Sequence, residues 1–263
     1  MKNDYQNSFF TFLALTRRNV GILHQKLLES LVDSLILTSI NVLLFGYLFP
    51  TMGMSSTLVA PVFLGSLISM FFNLGFSLAI RSVFDLKFER FIDYQLTLPI
   101  TTTWLFASYA VAYFIELFVS TTPTIAFGLF ALRSKISFAQ ADWMLFSIIY
   151  ILILSFFSLL FLAISFLYNY TWFLDNVWPR RLTPLIVFGS VYAPWYRINE
   201  ISRPLGMLLL CNPITYVSEG LRSSLLGDPR FLSPGVCIGA LTVSIGLAIV
   251  LLIYSVKKQL NPV

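Results

Sequence analysis

Residues 143–168 read "WMLFSIIYILILSFFSLLFLAISFLY", without one Asp, Glu, Lys or Arg. Crossing the hydrocarbon of a bilayer takes about 20 predominantly apolar residues in a helix. The backbone there must satisfy its own hydrogen bonds, which excludes irregular structure facing lipid. The pattern recurs along the chain. Apolar stretches at 31–49, 57–80, 101–132, 143–168, 182–195 and 232–256 predict six transmembrane helices, the fifth short and the third long, with Pro123 inside it. Only 11% of the 263 residues are charged, against about a quarter in a soluble domain. The chain reads as an all-α polytopic membrane protein forming one domain over residues 1–263.

Basic residues orient such a chain, because cytoplasmic loops retain Lys and Arg. With the N-terminus in the cytoplasm, the inner side holds Lys2, Arg17, Arg18, Lys26, Arg81, Lys87, Arg90, Arg180, Arg181, Lys257 and Lys258. The outer side holds Arg133, Lys135, Arg197, Arg203, Arg222 and Arg230. This imbalance predicts both termini inside. It also accounts for the net charge of +5 without nucleic acid as a partner.

Three segments interrupt the apolar pattern. Residues 1–30 are mixed polar and apolar with no small-residue cleavage site, unlike a secretion signal. Within them Phe9, Phe12, Leu13 and Leu23 alternate with Arg17, Arg18, His24 and Lys26. That composition predicts an amphipathic helix on the cytoplasmic membrane surface, in contact with lipid headgroups, rather than a soluble stub. Residues 81–100 interleave Asp85, Lys87, Glu89, Arg90 and Asp93 with Phe84, Leu86, Phe88 and Phe91, ahead of Leu98-Pro99. The apolar half is too rich for a solvated loop, so a short helix awaiting a partner is expected. Residues 197–231 hold four of the six outer basic residues and the stretch "NPITYVSEGLRSSLLG". Asn212 can cap a helix, Pro213 suits its first position, and Gly227 suits a left-handed end. Glu219 and Arg222 share a face at i, i+3. We expect re-entrant outer helices here, between spans five and six, with the Glu–Arg pair bracing them or forming an outer gate.

Catalytic chemistry is scarce. There is no GxxxxGK[ST] phosphate loop, and no HExxH, CxxC or GxSxG. The one histidine and the distant Cys211 and Cys237 do not assemble a hydrolase or a metal site. Glu116 is the clearest ionisable residue within a span. A carboxylate there is costly and faces a partner or a water-filled path, and both readings stand. Asp33, near the start of the first span, reads as structural. Trp104, Trp143, Trp172, Trp178 and Trp195 fall near span ends, as an interfacial belt predicts.

Taken together, these features resemble the membrane permease subunit of type-2 ABC exporters over nearly the whole chain. Asn212, Pro213, Thr215, Tyr216, Glu219, Arg222 and Gly227 are similar to that family's NP-(L/I)-T-Y…E-x-x-R…G signature. "FERFIDYQLTLPIT" resembles its cytoplasmic coupling segment, carried by Glu89, Arg90 and Pro99, with Phe-Glu-Arg where Gly-Thr-x-Glu-Arg is common. The basic amphipathic N-terminus is the third likeness. The resemblance implies a multi-pass protein of the bacterial inner membrane that works as two copies with two copies of a separate ABC ATPase subunit. That partner would bind ATP and Mg, this chain having no cofactor of its own and no catalytic or metal-binding residue. Phe84, Phe88, Glu89, Arg90, Asp93 and Pro99 would contact it, and the cargo would be a drug, a lipid or a lipid-linked polysaccharide. Two other classes compete. A membrane-embedded lipid-modifying enzyme needs a polar catalytic set that is not found. A proton-coupled carrier working through Glu116 is weakened by the lack of an internal repeat.

Overall fold

The computed structural model describes residues 2–89, 91–96 and 101–260. Among them the secondary structure is entirely helical. The first helix, α1 (Lys2–Asn41), continues through a π-helical stretch, Val42–Leu48, into the single turn α2 (Phe49–Thr51). The amphipathic N-terminus and the first span, expected as separate elements, are therefore one helix. No proline precedes Pro50, so nothing in the covalent chain stops the helix. Its first half is held on a neighbour, since the Phe12 and Trp104 rings lie 5.0 Å apart and Asn19 Nδ2 donates to Ser108 Oγ at 3.3 Å.

After α1 and α2 come α3 (Ser56–Ser66) and α4 (Ile68–Phe84), which ends in a π-helical turn, Asp85–Glu89, before the short α5 (Phe91–Leu96). Then follow α6 (Thr102–Ala131) and α7 (Trp143–Leu167). α6 runs parallel to α1 throughout, Trp104 pairing with Phe12 and Glu116 with Ser30. An aromatic column joins α4 to α7. Phe71 stacks on Phe157 at 5.4 Å, and Phe72 meets Phe157 and Phe161 edge-on. A Cβ on Gly75 would lie 2.1 Å from Phe161, so glycine is what allows the two backbones this close. Such close van der Waals packing is what holds helices together in lipid, where burial from water contributes little.

Among the described residues, five helices are long and apolar enough to cross a membrane: Leu27–Thr51, Ser56–Glu89, Thr102–Ala131, Trp143–Leu167 and Pro234–Gln259. The span expected at 182–195 is not among them. In its place α8 (Tyr170–Trp172), a π-helical run (Phe173–Leu182) and α9 (Thr183–Val187) form one continuous helical segment. Pro179 lies inside it, and Asp175, Asn176, Arg180 and Arg181 make it too polar for lipid alone. It stops at Val187, and Ser190 turns the chain with φ 57°, a value few residues other than glycine adopt.

The chain then folds into α10 (Trp195–Ile201), α11 (Arg203–Leu209) and α12 (Pro213–Leu226) before the last long helix, α13 (Pro234–Leu260). α12 lies along the N-terminal part of α7. A Cβ on Gly227 would sit 2.7 Å from Gln140, the Asp142 N–H donates to the Ser224 carbonyl at 2.9 Å, and Gly220 faces Ile149. At 1.5 Å per residue the start of α12 lies about 20 Å further along α7 than its end. It packs beside α7 and lies between α9 and α13 in the chain.

Candidate functional site

α12 is built as its sequence requires. Asn212 Oδ1 accepts the Ile214 N–H at 3.0 Å, Pro213 opens the helix, and Gly227 closes it at φ 63°. What its side chains reach lies far away in sequence. The helical segment that ends at Val187 has carbonyls in its last turn that no later residue of the helix can satisfy. Asn212 Nδ2 donates to the Leu185 carbonyl at 2.8 Å, and Ser218 Oγ to that of Gly189 at 2.8 Å. Arg222 Nη2 donates to the Val191 carbonyl at 2.8 Å. Thr215 and Tyr216 turn back to the carbonyls of Leu209 and Leu210, both at 2.7 Å.

Glu219 and Arg222 are both fully buried. Arg222 Nη1 donates to Glu219 Oε1 at 2.7 Å and its Nε to the Pro61 carbonyl on α3 at 2.7 Å. Glu219 Oε1 also accepts the Trp195 N–H at 2.9 Å, and Oε2 the Leu232 N–H at 3.4 Å. Every charge-bearing end is therefore partnered, the condition under which a buried ion pair is tolerated. Trp195 is part of this clamp, with Nε1 donating to the Gly206 carbonyl at 2.9 Å. Nearby, outside the spans, Asp228 is held below the usual carboxylate range by its hydrogen bonds with Arg230.

A second polar node joins α1, α4 and α6. Glu116, 2% exposed, accepts from Arg81 Nη1 at 2.9 Å and from Ser30 Oγ at 3.2 Å. Close by, Tyr113 and Ser82 share a 2.6 Å hydrogen bond. Glu116 faces into the helix packing and not onto an open surface.

Beside this node a groove opens between α1 and α4. Glu29, Ser30, Asp33, Ser34 and Leu37 line one wall, and Met70, Asn73, Leu74, Ser77 and Arg81 the other. Glu29, Asp33 and Asn73 are exposed. Across α4 the next neighbour is the polar segment at 173–182, where Phe76 stacks on Phe173 at 5.4 Å and packs on Trp178 at 5.1 Å. Asp175, Arg180 and Arg181 are exposed on that segment. Glu116, open in the sequence between a structural partner and a route, is buried, and Asp33, which reads as structural from the sequence, lies on this groove. Spacing brings the polar residues of each wall together, since Glu29 and Asp33 lie at i, i+4 on α1, and Asn73 and Ser77 at i, i+4 on α4.

At the end of α4 the expected partner-contacting residues are only partly within the described chain. Arg90 and Pro99 lie outside it, as does the side chain of Asp93. Phe84, Phe88 and Glu89 are exposed. The Phe84 and Phe88 rings lie 5.1 Å apart, and both meet Tyr170 edge-on, at 5.5 and 5.3 Å. Tyr170, which the sequence did not flag, ties this turn to the connection after α7. Asp85 Oδ2 accepts the Ile92 N–H at 2.9 Å and so caps α5.

A family model described as ABC-2 type transporter matches residues 11–226. Neither a curated protein nor a solved structure matches the chain.

Proposed function

Because the chain belongs to the ABC-2 type transporter family and is a permease subunit of an ABC transporter working with a separate ATPase subunit, we propose that it forms the substrate path of an exporter. In this reading two copies pair in the bacterial inner membrane with both termini in the cytoplasm. Two ATPase subunits, holding ATP and Mg, dock below. The cargo is a drug, a lipid or a lipid-linked polysaccharide.

The observation that supports a path on the α1–α4 side is its outward polarity. Glu29, Asp33 and Asn73 are exposed within candidate membrane spans. Ionisable groups at such positions face a water-filled cavity or another protein surface, not acyl chains. A second copy covering this side would enclose them. Glu116 then serves as a brace that fixes Arg81 at the path's edge, in place of the route residue that its position in the span allowed. The α12 clamp braces the outer end. Phe84, Phe88 and Glu89, with Arg90, Asp93 and Pro99, meet the ATPase subunit, and Tyr170 passes the movement to the polar segment beyond it.

The test is copurification. The tagged chain, extracted under mild conditions, is expected to bring down a soluble subunit bearing a phosphate loop, and the pair to hydrolyse ATP after reconstitution. Transport by the chain alone would overturn the reading.

A further inference from the structure

The groove between α1 and α4 carries its own charge signature. Glu29 and Asp33 are exposed on one wall, and among the described residues neither has an ion-pair or hydrogen-bond partner. The one cation lining the groove among the described residues, Arg81, is engaged at 2.9 Å by Glu116, which does not line it. Two carboxylates are thus left uncompensated, with the neutral Asn73 and Ser77 on the facing wall.

The groove is also polarised along its length. Ser30 meets the Arg81–Glu116 node at one end, toward α5, and Thr38 meets Met70 Sδ at 3.8 Å at the other. The acidic and hydroxyl side chains therefore lie toward the α5 end, and Leu37 and Met70 toward the opposite end. The space is small, about 50 Å³, enough for a compact head group and not for a whole amphiphile. A polar head lodged there would have its chain leading along apolar side chains toward the middle of the bilayer, as for an amphiphile resident in the leaflet nearest α5.

We propose that this groove receives the compact ammonium head of a cationic amphiphile, with Glu29 and Asp33 as counter-charges and Asn73 and Ser77 as hydrogen-bonding partners. The assignment rests on the exporter reading and narrows its cargo from three classes to one kind of charge. An anionic head would meet two carboxylates at close range, and like charges repel.

The test uses three probes with the same tail, dodecylammonium, dodecyl sulfate and dodecyl maltoside, below their micellar concentrations. Binding is measured on the purified complex in nanodiscs, with empty nanodiscs subtracted. Saturable binding is expected for dodecylammonium alone. It should weaken about tenfold in Glu29→Gln/Asp33→Asn, near-isosteric changes that remove only charge, and tighten in Asn73→Asp, which adds a carboxylate to the facing wall. Equal binding of dodecyl sulfate, or dodecylammonium binding unmoved by both variants, would overturn the proposal. A preparation that binds dodecylammonium as expected but carries no ATPase subunit would defeat the exporter reading and leave the groove's charge preference standing.

Discussion

The carbonyl of Val191 is pressed against Gly65 so closely that a Cβ at position 65 would lie 1.9 Å from its oxygen and 2.2 Å from Arg222 Nη2. Gly65 sits within α3, and Val191 lies in the turn after α9. The α12 clamp therefore depends on an absent side chain as much as on the ion pair it surrounds.

Gly65→Ala is expected to lower stability by about 1–3 kcal/mol through overpacking. In a helix with open space the same change would stabilise, by about 1 kcal/mol, so the sign alone decides. Thermal unfolding of the purified complex, followed by tryptophan fluorescence, measures it. A raised melting temperature would refute the close approach.

Removing either partner of the buried Glu219–Arg222 pair leaves the other charge uncompensated. Glu219→Ala and Arg222→Ala should each cost about 3–5 kcal/mol, and the double change less than the sum of the two. A double-mutant cycle on unfolding reads that coupling directly. Full additivity would mean that the two groups do not depend on each other.

Glu116 as brace and Glu116 as proton carrier make opposite predictions for one conservative change. Glu116→Gln keeps an acceptor for Arg81 and Ser30, so assembly and transport should survive at a cost of about 1 kcal/mol. Arg81→Met strands a buried carboxylate and should sharply reduce the yield of folded protein. Transport abolished by Glu116→Gln in a well-folded complex would return the residue to the substrate route.

At the α5 end, Glu89→Lys should uncouple ATP hydrolysis from transport in reconstituted vesicles. Phe88→Ala should weaken ATPase-subunit binding by about 2 kcal/mol, as for an aromatic anchor at an interface. Tyr170→Ala should leave subunit binding intact while lowering transport, because Tyr170 packs behind Phe84 and Phe88. Unchanged stimulated hydrolysis and unchanged export in all three would remove the segment from the coupling role.

Losing the cap at Asn212 should be mild locally and larger in context. An N-cap to Ala change costs about 1 kcal/mol, and Asn212→Ala also strips the Leu185 carbonyl of its donor. Asn212→Asp keeps the cap but not the amide donor. An unfolding cost for Asn212→Asp near that of Asn212→Ala would show that the long-range bond is the larger share.

What the sequence determined by itself is what neighbouring residues decide among themselves. The charge-free run at 143–168 had to be a buried or spanning helix, and α7 is one. Asn212, Pro213 and Gly227 set the ends of α12 through contacts within a few residues of each other. The absence of a breaker before Pro50 was equally legible, although composition suggested a division near residue 30. Tertiary structure decided where long side chains end. Arg222 bonds a carbonyl 161 positions away at Pro61, and Arg81 finds Glu116 35 positions on. No local pattern encodes those distances, because a buried charge takes whichever partner the packing of other helices brings within about 3 Å. The same dependence explains the end of the segment that stands in place of the span expected at 182–195. Its carbonyls can end at Val187 only because α12 returns to meet them, and Glu29 and Asp33 stay open because no basic side chain among the described residues folds back to them.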